Sequence, residues 1–444
     1  STRGPCRTDS VDYFCRLRGY HVGMTAKRKE TLLHRFFGSL GPGLITGAAD
    51  DDPSGIATYS IAGAQLGTSM LWTALVTWPL MAAVQMMCAR IGMVTGYGLA
   101  SALRRKFPTP VVATAALALL AANIINIGAD LSGMADATEM LTGLNSHLCV
   151  ILFGIGISAA TVWLRYAQIA NTLKWLALFL FAYVLTAIVV SPDWLRVLRD
   201  TIEPSLPRGR DAWAMLVAIL GTTISPYLFF WQASQEVEEE KVIGRLDTIS
   251  RRGASDAEIL TRKLDVGVGT FFSNIVMFFI IVTTAFTLHR HGITHIETSR
   301  QAAEALRPLA GPGCFLLYTA GVIGVGLLAI PTLSGSAAYA LAETFGWRQG
   351  LDEKLEKARA FYAVVLLSVA VAIAIDFANI NPVRALFWTA VINGLLAPFL
   401  LVGILIVSMD RGIMQNQPSS RLGQCVVGAT TVAMFIAGAA MFVL

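Results

Sequence analysis

The stretch "GLITGAADDDPSGIATYSIAG", from Gly43 to Gly63, places three consecutive aspartates inside an apolar run. Neighbouring residues on a helix point about 100° apart, so an unbroken helix would turn at least one of Asp50–Asp52 away from any single cavity. Pro53 removes a hydrogen-bond donor and disfavours helix at the residue before it, while Gly55 adds backbone freedom. The pattern predicts a helix that is unwound at Asp50–Gly55, with its carboxylates and freed carbonyl groups facing a cavity.

The composition shows what surrounds this stretch. The 444-residue chain is 55% hydrophobic and 14% charged, with a mean hydropathy of +0.61, whereas soluble domains carry about 25% charged residues. Apolar runs of about 20 residues recur along most of its length, which predicts a polytopic membrane protein in a lipid bilayer. The six cysteines lie singly and the net charge is +5, so no disulfide framework, zinc site, cofactor, nucleic-acid partner or obligate protein partner is indicated.

Eleven membrane spans are predicted, and the charges between them set the orientation. A cytoplasmic N-terminus places most of the 34 Lys and Arg residues inside, as the positive-inside rule requires. The C-terminus is then predicted to lie outside the cell, and the membrane is predicted to be a plasma membrane of bacterial type. Residues 235–264 are interpreted as a solvated, partly helical cytoplasmic connector, and residues 1–38 as a cytoplasmic tail whose first 23 residues are disordered or an upstream extension. The predicted spans are 39–66, 70–95, 111–143, 147–165, 171–190, 211–234, 265–288, 313–343, 359–376, 383–408 and 421–444.

A second interruption lies in the sixth span, "AWAMLVAILGTTISPYLFFWQAS", where Gly221 and the stretch Thr222–Pro226 divide the apolar run. Interrupted spans at matching positions of two halves indicate a transporter built from inverted repeats. We therefore predict a core of residues 39–410 with repeats 39–190 and 211–410, and a peripheral eleventh helix in 411–444. The alternative, that "DDDPSG" is a surface loop, would leave the first span incomplete.

The two interruptions offer oxygen donors only. Carboxylates, released carbonyl groups and the hydroxyl groups of serine and threonine suit Mg²⁺, Ca²⁺ or Mn²⁺, whereas thioether or thiolate groups favour softer metals. Three aspartates would repel an anionic substrate. The residues therefore favour cation transport.

The same segments resemble the Nramp family of divalent metal transporters. "GPGLITGAADDDPSG" is similar to that family's first-span Gly-Pro-Gly and Asp-Pro-Gly-Asn motifs, and "QMMCARIGMVTGYGLASALRRKF" is similar to its second span. The resemblance covers most of residues 36–410. It implies an inverted-repeat fold of the LeuT/APC type with helices 1 and 6 broken, alternating access, and usually proton-coupled uptake of Mn²⁺ or Fe²⁺.

Several positions depart from the family's motifs. Asp52 matches the metal-binding aspartate, but Gly55 stands where the family has a metal-binding asparagine. Ser225 replaces the selective methionine, and Thr222 replaces an alanine. The glutamate of the proton route is absent beside Asp130, and the ninth span holds no basic partner for it.

These departures resemble the divergent Nramp-related magnesium transporters, in which a roomier site accepts a more hydrated ion. Mg²⁺ loses its water reluctantly, so a site with fewer direct ligands suits it. We predict a transporter, not an enzyme, that carries Mg²⁺ and Mn²⁺ as substrates with weak or absent proton coupling. The alternatives are an ordinary proton-coupled Mn²⁺ or Fe²⁺ importer, an organic-solute symporter of the same fold, and a cation channel.

The predicted site residues fall into two groups. The residues expected to bind the metal are Asp52, Asp51, Ala49, Gly55, Thr222 and Ser225. The residues expected to line the pathway or to support the site are Asp50, Ser54, Thr223, Asn274 and Asp130.

Overall fold

The computed structural model describes residues 47, 49–164, 179–206, 209–378 and 380–443, and all regular secondary structure in these residues is helical. The prediction of an all-α protein is therefore confirmed. The predicted tail 1–38, the beginning of the first predicted span (39–46) and that of the fifth (171–178) lie outside the described residues.

Sixteen α-helices follow one another in the described residues. The first half contains α1 (Pro53–Leu66), α2 (Leu71–Thr95), α3 (Leu99–Arg104), α4 (Thr109–Thr142), α5 (Ser146–Trp163), α6 (Phe181–Val190) and α7 (Trp194–Ile202). The second half contains α8 (Arg210–Thr223), α9 (Pro226–Val242), α10 (Asp256–Thr287), α11 (Ser299–Glu304), α12 (Arg307–Ala310), α13 (Cys314–Phe345), α14 (Arg359–Asp376), α15 (Pro382–Met409) and α16 (Arg421–Val443).

Nine helical stretches in the described part of the chain are long and apolar enough to cross a membrane. One of these stretches comprises α1 and α2, and another comprises α8 and α9. Helix α6 is apolar but shorter. Because two of the eleven predicted spans begin outside the described residues, the number eleven stays a prediction.

The interrupted elements lie inside the bundle. Helix α1 packs against α10, α15, α8 and α4, while α9 packs against α2 and α13. Around them, α4 contacts α13, α14 and α15, so the long helices form a shell about the two breaks. The aspartates are therefore surrounded by protein rather than by lipid, as buried charges in a membrane require.

The first break is shorter than predicted. Only Asp51 and Asp52 leave the helical conformation, since Gly47, Ala49 and Asp50 are helical and α1 resumes at Pro53. The prediction that residues through Gly55 are unwound was wrong, because proline fits the first helical position, where its missing N–H is not needed.

The second break is also shorter than predicted. It comprises only Ile224 and Ser225, and Gly221 belongs to α8. A Cβ atom at Gly221 would lie 2.0 Å from the carbonyl oxygen of Ala390 and 2.3 Å from the backbone nitrogen of Gly394. Gly221 therefore allows α8 to pack closely against α15, and it is not part of the helix break.

The connector at 235–264 is less solvated than predicted. Helix α9 continues to Val242, and Glu236 is buried. Arg262 of α10 forms an ion pair with Glu236 at 2.7 Å and with Asp265 at 2.6 Å. The mixed charge of this segment wrongly indicated exposure to solvent, because its opposite charges form ion pairs with each other in the protein interior.

The contact between α8 and α15 gives a stability test. Gly221→Ala forces a Cβ atom against backbone, so we expect a loss of at least about 1–3 kcal/mol in stability and a lower melting temperature. Gly156→Ala in α5 is the matched control, because a Cβ atom there meets nothing within 4 Å. Fluorescence-detected size-exclusion chromatography after heating measures both, and equal melting temperatures would contradict the close contact.

Candidate cation site at the two helix breaks

Asp52 caps the beginning of α1. Its Oδ1 atom accepts a hydrogen bond from the backbone nitrogen of Gly55 at 2.7 Å, and Pro53 occupies the first helical position. A carboxylate in this place also interacts favourably with the positive end of the helix dipole. The sequence thus places the predicted metal-binding aspartate at the junction of the break and the helix, where its side chain is only 3% exposed.

The other oxygen of Asp52 faces α4. Asn126 donates from Nδ2 to Asp52 Oδ2 at 3.1 Å and to Asp130 Oδ2 at 3.2 Å. One amide group therefore links the first break to Asp130, which is completely buried. Sequence reasoning missed Asn126, although a polar residue one helical turn before Asp130 in an apolar span was an available signal.

Asp50 and Asp51 share one partner on α10. The Ser273 hydroxyl lies 2.7 Å from Asp50 Oδ2 and 3.1 Å from Asp51 Oδ1. A hydroxyl group has a single hydrogen, so it satisfies one of these carboxylates at a time. Sequence reasoning chose the next residue, Asn274, but that side chain accepts from Thr77 at 2.7 Å and donates to the carbonyl of Thr270 at 2.9 Å. Asn274 joins α10 to α2 in this conformation.

The hydroxyl groups of the second break bond to their own helix. Ser225 Oγ lies 2.8 Å from the carbonyl oxygen of Gly221 and 2.7 Å from that of Thr222, and Thr223 donates to Ile219 at 2.8 Å. Such bonding around a proline satisfies carbonyl groups released by the break. The lone pairs of the Ser225 oxygen remain able to accept or to coordinate.

The two breaks touch each other. Tyr227, at the beginning of α9, donates its hydroxyl hydrogen to the carbonyl oxygen of Ala49 at 2.9 Å. A Cβ atom at Gly55 would lie 3.1 Å from Thr222 Oγ1. The structure therefore brings Ala49 and Gly55 beside the first break close to Tyr227 and Thr222 beside the second. The Ser54 hydroxyl instead donates to the carbonyl of Leu386 on α15.

No described residue balances the negative charge at this point. Among the described residues, no Lys, Arg or His forms an ion pair with Asp50, Asp51, Asp52 or Asp130, and all four are at most 4% exposed. The same part of the chain offers no hydrogen bond to the buried oxygen atoms Asp50 Oδ1, Asn126 Oδ1 and Asp130 Oδ1. Buried charges are stable when paired or coordinated, so this cluster fits a cation.

The geometry does not form a compact metal cage. Within the described ranges, no three His, Cys, Asp or Glu side chains converge in a way that could hold a metal ion by themselves. A cation here would need amide, hydroxyl or carbonyl oxygen atoms, or its own water, in addition to the carboxylates. Such a mixed oxygen environment is typical of Mg²⁺, which keeps part of its hydration shell.

A family model and individual relatives of this chain indicate the same protein family. The Nramp family model, described as "Natural resistance-associated macrophage protein-like", matches residues 43–444. The "Divalent metal cation transporter MntH" of Caldanaerobacter subterraneus subsp. tengcongensis is 25% identical over 393 residues, covering 86% of this chain and 87% of that protein. The protein of the same name from Yersinia pestis is 29% identical over 306 residues, covering 67% and 71%.

Solved structures show the same fold. A manganese transporter of Eremococcus coleocola superposes with a TM-score of 0.74 at 16% identity, covering 93% of this chain and 87% of that one. The nucleobase-cation-symport-1 family transporter Mhp1 superposes with a TM-score of 0.51 at 15% identity, covering 90% of each chain. At these identities the likeness shows the fold alone.

The contact between the two breaks gives a second prediction. Gly55→Asn introduces a Cβ atom 3.1 Å from Thr222 Oγ1, so we expect it to destabilise the protein unless that oxygen is removed. Thr222→Ala removes it, and the double variant Gly55→Asn/Thr222→Ala should recover stability, with a coupling of about 0.5–3 kcal/mol. Melting temperatures of the wild type, both single variants and the double variant measure the coupling, and simple additivity would contradict it.

Proposed function

The chain belongs to the Nramp family, and from this membership we propose that it moves divalent metal cations across a membrane by alternating access, with Mg²⁺ as a main substrate and Mn²⁺ also carried. The observation that carries the proposal is the buried cluster of Asp50, Asp51, Asp52 and Asp130, which has no cationic partner in the described residues. In this proposal the transported ion supplies the missing positive charge.

The donor set supports Mg²⁺ over a softer metal. No side chain in Asp50–Gly55 or Thr222–Pro226 carries sulfur or an imidazole ring, and hard oxygen ligands favour Mg²⁺, Ca²⁺ and Mn²⁺. We assign Asp52 as the principal ligand, directly or through water. Asp51 and the carbonyl groups of Ala49 and Thr222 complete the set.

The supporting residues have different roles in this proposal. Asn126 orients Asp52 and Asp130 through its amide group, and its free carbonyl oxygen is available to a hydrated ion. Ser225 and Gly55 shape the space between the breaks, while Asp50 and Ser273 line the pathway beside them.

The surroundings of Asp130 support weak or absent proton coupling. The Asn126 amide donates to Asp130 Oδ2, and the backbone N–H of Ser54 also interacts with this carboxylate. Neither group can accept and pass on a proton as a carboxylate or imidazole does. Among the described residues, the other carboxylate that Asn126 contacts is that of Asp52. We therefore expect metal movement driven by its own gradient and the membrane potential.

Alternating access is supported by the difference between the two ends of the bundle. A cavity of about 620 Å³ opens beside the last turns of α1, at Ile61 and Gln65. At the opposite end, Arg262 pairs with carboxylates of α9 and α10, and Glu343 of α13 accepts hydrogen bonds from the Ser101 backbone nitrogen and the Ser234 hydroxyl. These contacts hold α3, α9, α10 and α13 together at the end that the charge bias predicts to be cytoplasmic.

The main test uses reconstituted liposomes that contain a Mg²⁺ dye and a pH dye. Asp52→Asn keeps a helix-capping oxygen but removes the charge, so we expect uptake of Mg²⁺ and Mn²⁺ to fall by roughly tenfold or more without loss of folding. Glu356→Gln, an equal charge loss at an exposed residue, should leave uptake unchanged.

The wild-type traces also decide between the alternatives. Mg²⁺ uptake without acidification of the lumen supports the proposal, whereas Mg²⁺ that neither enters nor competes with Mn²⁺ at millimolar concentration would overturn it. Acidification that follows Mn²⁺ entry would favour an ordinary proton-coupled importer. Single-channel currents from the purified protein would identify a channel instead.

A gain-of-selectivity variant tests the role of the second break. Ser225→Met in the background Gly55→Asn/Thr222→Ala restores a thioether and an amide at the two breaks. We expect the ratio of Cd²⁺ or Mn²⁺ uptake to Mg²⁺ uptake to rise, because a soft donor favours softer metals. The background double variant is the matched control, and an unchanged ratio would show that selectivity resides elsewhere.

A further inference from the structure

A groove on the membrane-facing side of the bundle is separate from the cation site. It has a volume of about 530 Å³ and lies between α2, α10 and the first turns of α16. Pro79, Ala82 and Met86 of α2 form one wall, and Val266 of α10 and Val426 of α16 form the others. We refer to it as the α2–α10–α16 groove.

Two cations line this groove on the same side of Trp78, since Arg90 follows Trp78 on α2 and Lys263 precedes Gly267, whose carbonyl group accepts from Trp78, on the antiparallel α10. Arg90 and Lys263 belong to its lining, which includes no carboxylate. Arg90 donates from Nε to the carbonyl oxygen of Gln417 at 3.2 Å, and its terminal nitrogen atoms donate to none of the described residues. Lys263 is exposed and forms no ion pair with any residue that the structure describes. Asp256 is the nearby carboxylate that acts on Arg90, but it forms no ion pair with it, so the terminal nitrogen atoms of Arg90 and the Lys263 ammonium group can both contact an anion.

The beginning of α16 adds to the positive end of the groove. Ser419 and Ser420 line it directly before Arg421, the first residue of this 23-residue helix. The Ser419 side chain is 7% exposed, and its hydroxyl oxygen has no hydrogen-bond partner among the described residues. Ser420 caps this helix by accepting from the backbone nitrogen of Gly423 at 3.2 Å, and the N–H groups that remain at a helix N-terminus attract phosphate oxygen atoms.

The length of the groove matches one membrane leaflet. From Trp78 to Arg90 along α2 is about 18 Å, and one leaflet of the hydrocarbon core is about 15 Å thick. Trp78 closes the end of the groove that is farther from Arg90, where the centroid of its ring lies 5.1 Å from that of the Phe271 ring. The positive end lies near the ends of α2, α10 and α16 that the charge bias predicts to be cytoplasmic.

We propose that the α2–α10–α16 groove binds an anionic phospholipid of the cytoplasmic leaflet, with its phosphate at Arg90, Lys263 and Ser420 and an acyl chain along the apolar walls. Charge complementarity selects an anionic over a zwitterionic headgroup, because the lining holds two cations and no carboxylate, and Asp256 near Arg90 offsets only part of this positive charge. The apolar walls select a lipid over a free anion, which would leave them unfilled.

Native mass spectrometry of the detergent-purified protein tests this assignment with phosphatidylglycerol and phosphatidylcholine as probes. We expect preferential retention of phosphatidylglycerol by the wild type and a loss of roughly 30-fold in its affinity in Arg90→Gln/Lys263→Gln. Lys354→Gln/Lys357→Gln, an equal charge loss at exposed residues outside the groove, should retain the lipid. Equal affinity for the two lipids in the wild type, or full retention in Arg90→Gln/Lys263→Gln, would overturn the proposal.

Two further measurements keep the test decisive. Ala82→Phe fills the space along the apolar wall and should weaken phosphatidylglycerol binding severalfold without any change of charge. Inorganic phosphate is the second probe. If it binds the wild type and Ala82→Phe equally tightly, the site is a free-anion site and the lipid assignment is overturned. If Arg90→Gln/Lys263→Gln does not purify, Lys263→Gln alone changes an exposed side chain. At least a fivefold loss of affinity in that variant supports the proposal, and no loss contradicts it.

Discussion

Four carboxylates enclosed by apolar helices, without a basic residue beside them in the described part of the chain, set the central constraint on this protein. Such a cluster is costly to bury, so the backbone must supply donors and the fold must leave room for a positive charge. The interruption after Asp50 provides both, because it frees polar backbone groups and turns Asp52 into a helix cap. The surrounding helices exclude lipid from the cluster.

The helix breaks were predictable because their residue types allow few other structures. An aspartate followed by proline and glycine identifies a helix beginning, and a second proline-containing span at the matching position indicates the repeat architecture. The extent of each break was not predictable. Proline belongs as readily to the first turn of a helix as to a loop, and Gly221 packs against α15 rather than unwinding α8.

The partners of the aspartates were harder to predict. Asn126 and Ser273 lie in long spans with several small polar residues, and periodicity alone does not show which of these faces the break. The choice between Ser273 and Asn274 depends on the rotation of α10 about its own axis, which is set by packing against α1 and α2. Likewise, the burial of Glu236 and Arg262 depends on their meeting across two helices, which a local charge pattern does not reveal.

The contact between Gly55 and Thr222 has a consequence for how such sites diverge. The two residues lie 167 positions apart but affect each other, because a Cβ atom on Gly55 would lie 3.1 Å from the Thr222 hydroxyl oxygen, which would have to move slightly. An evolutionary path toward an asparagine at the first break therefore has a preferred order, in which Thr222 becomes smaller before Gly55 becomes larger. The reverse order passes through a crowded intermediate, so the two positions should change together among descendants of a common ancestor.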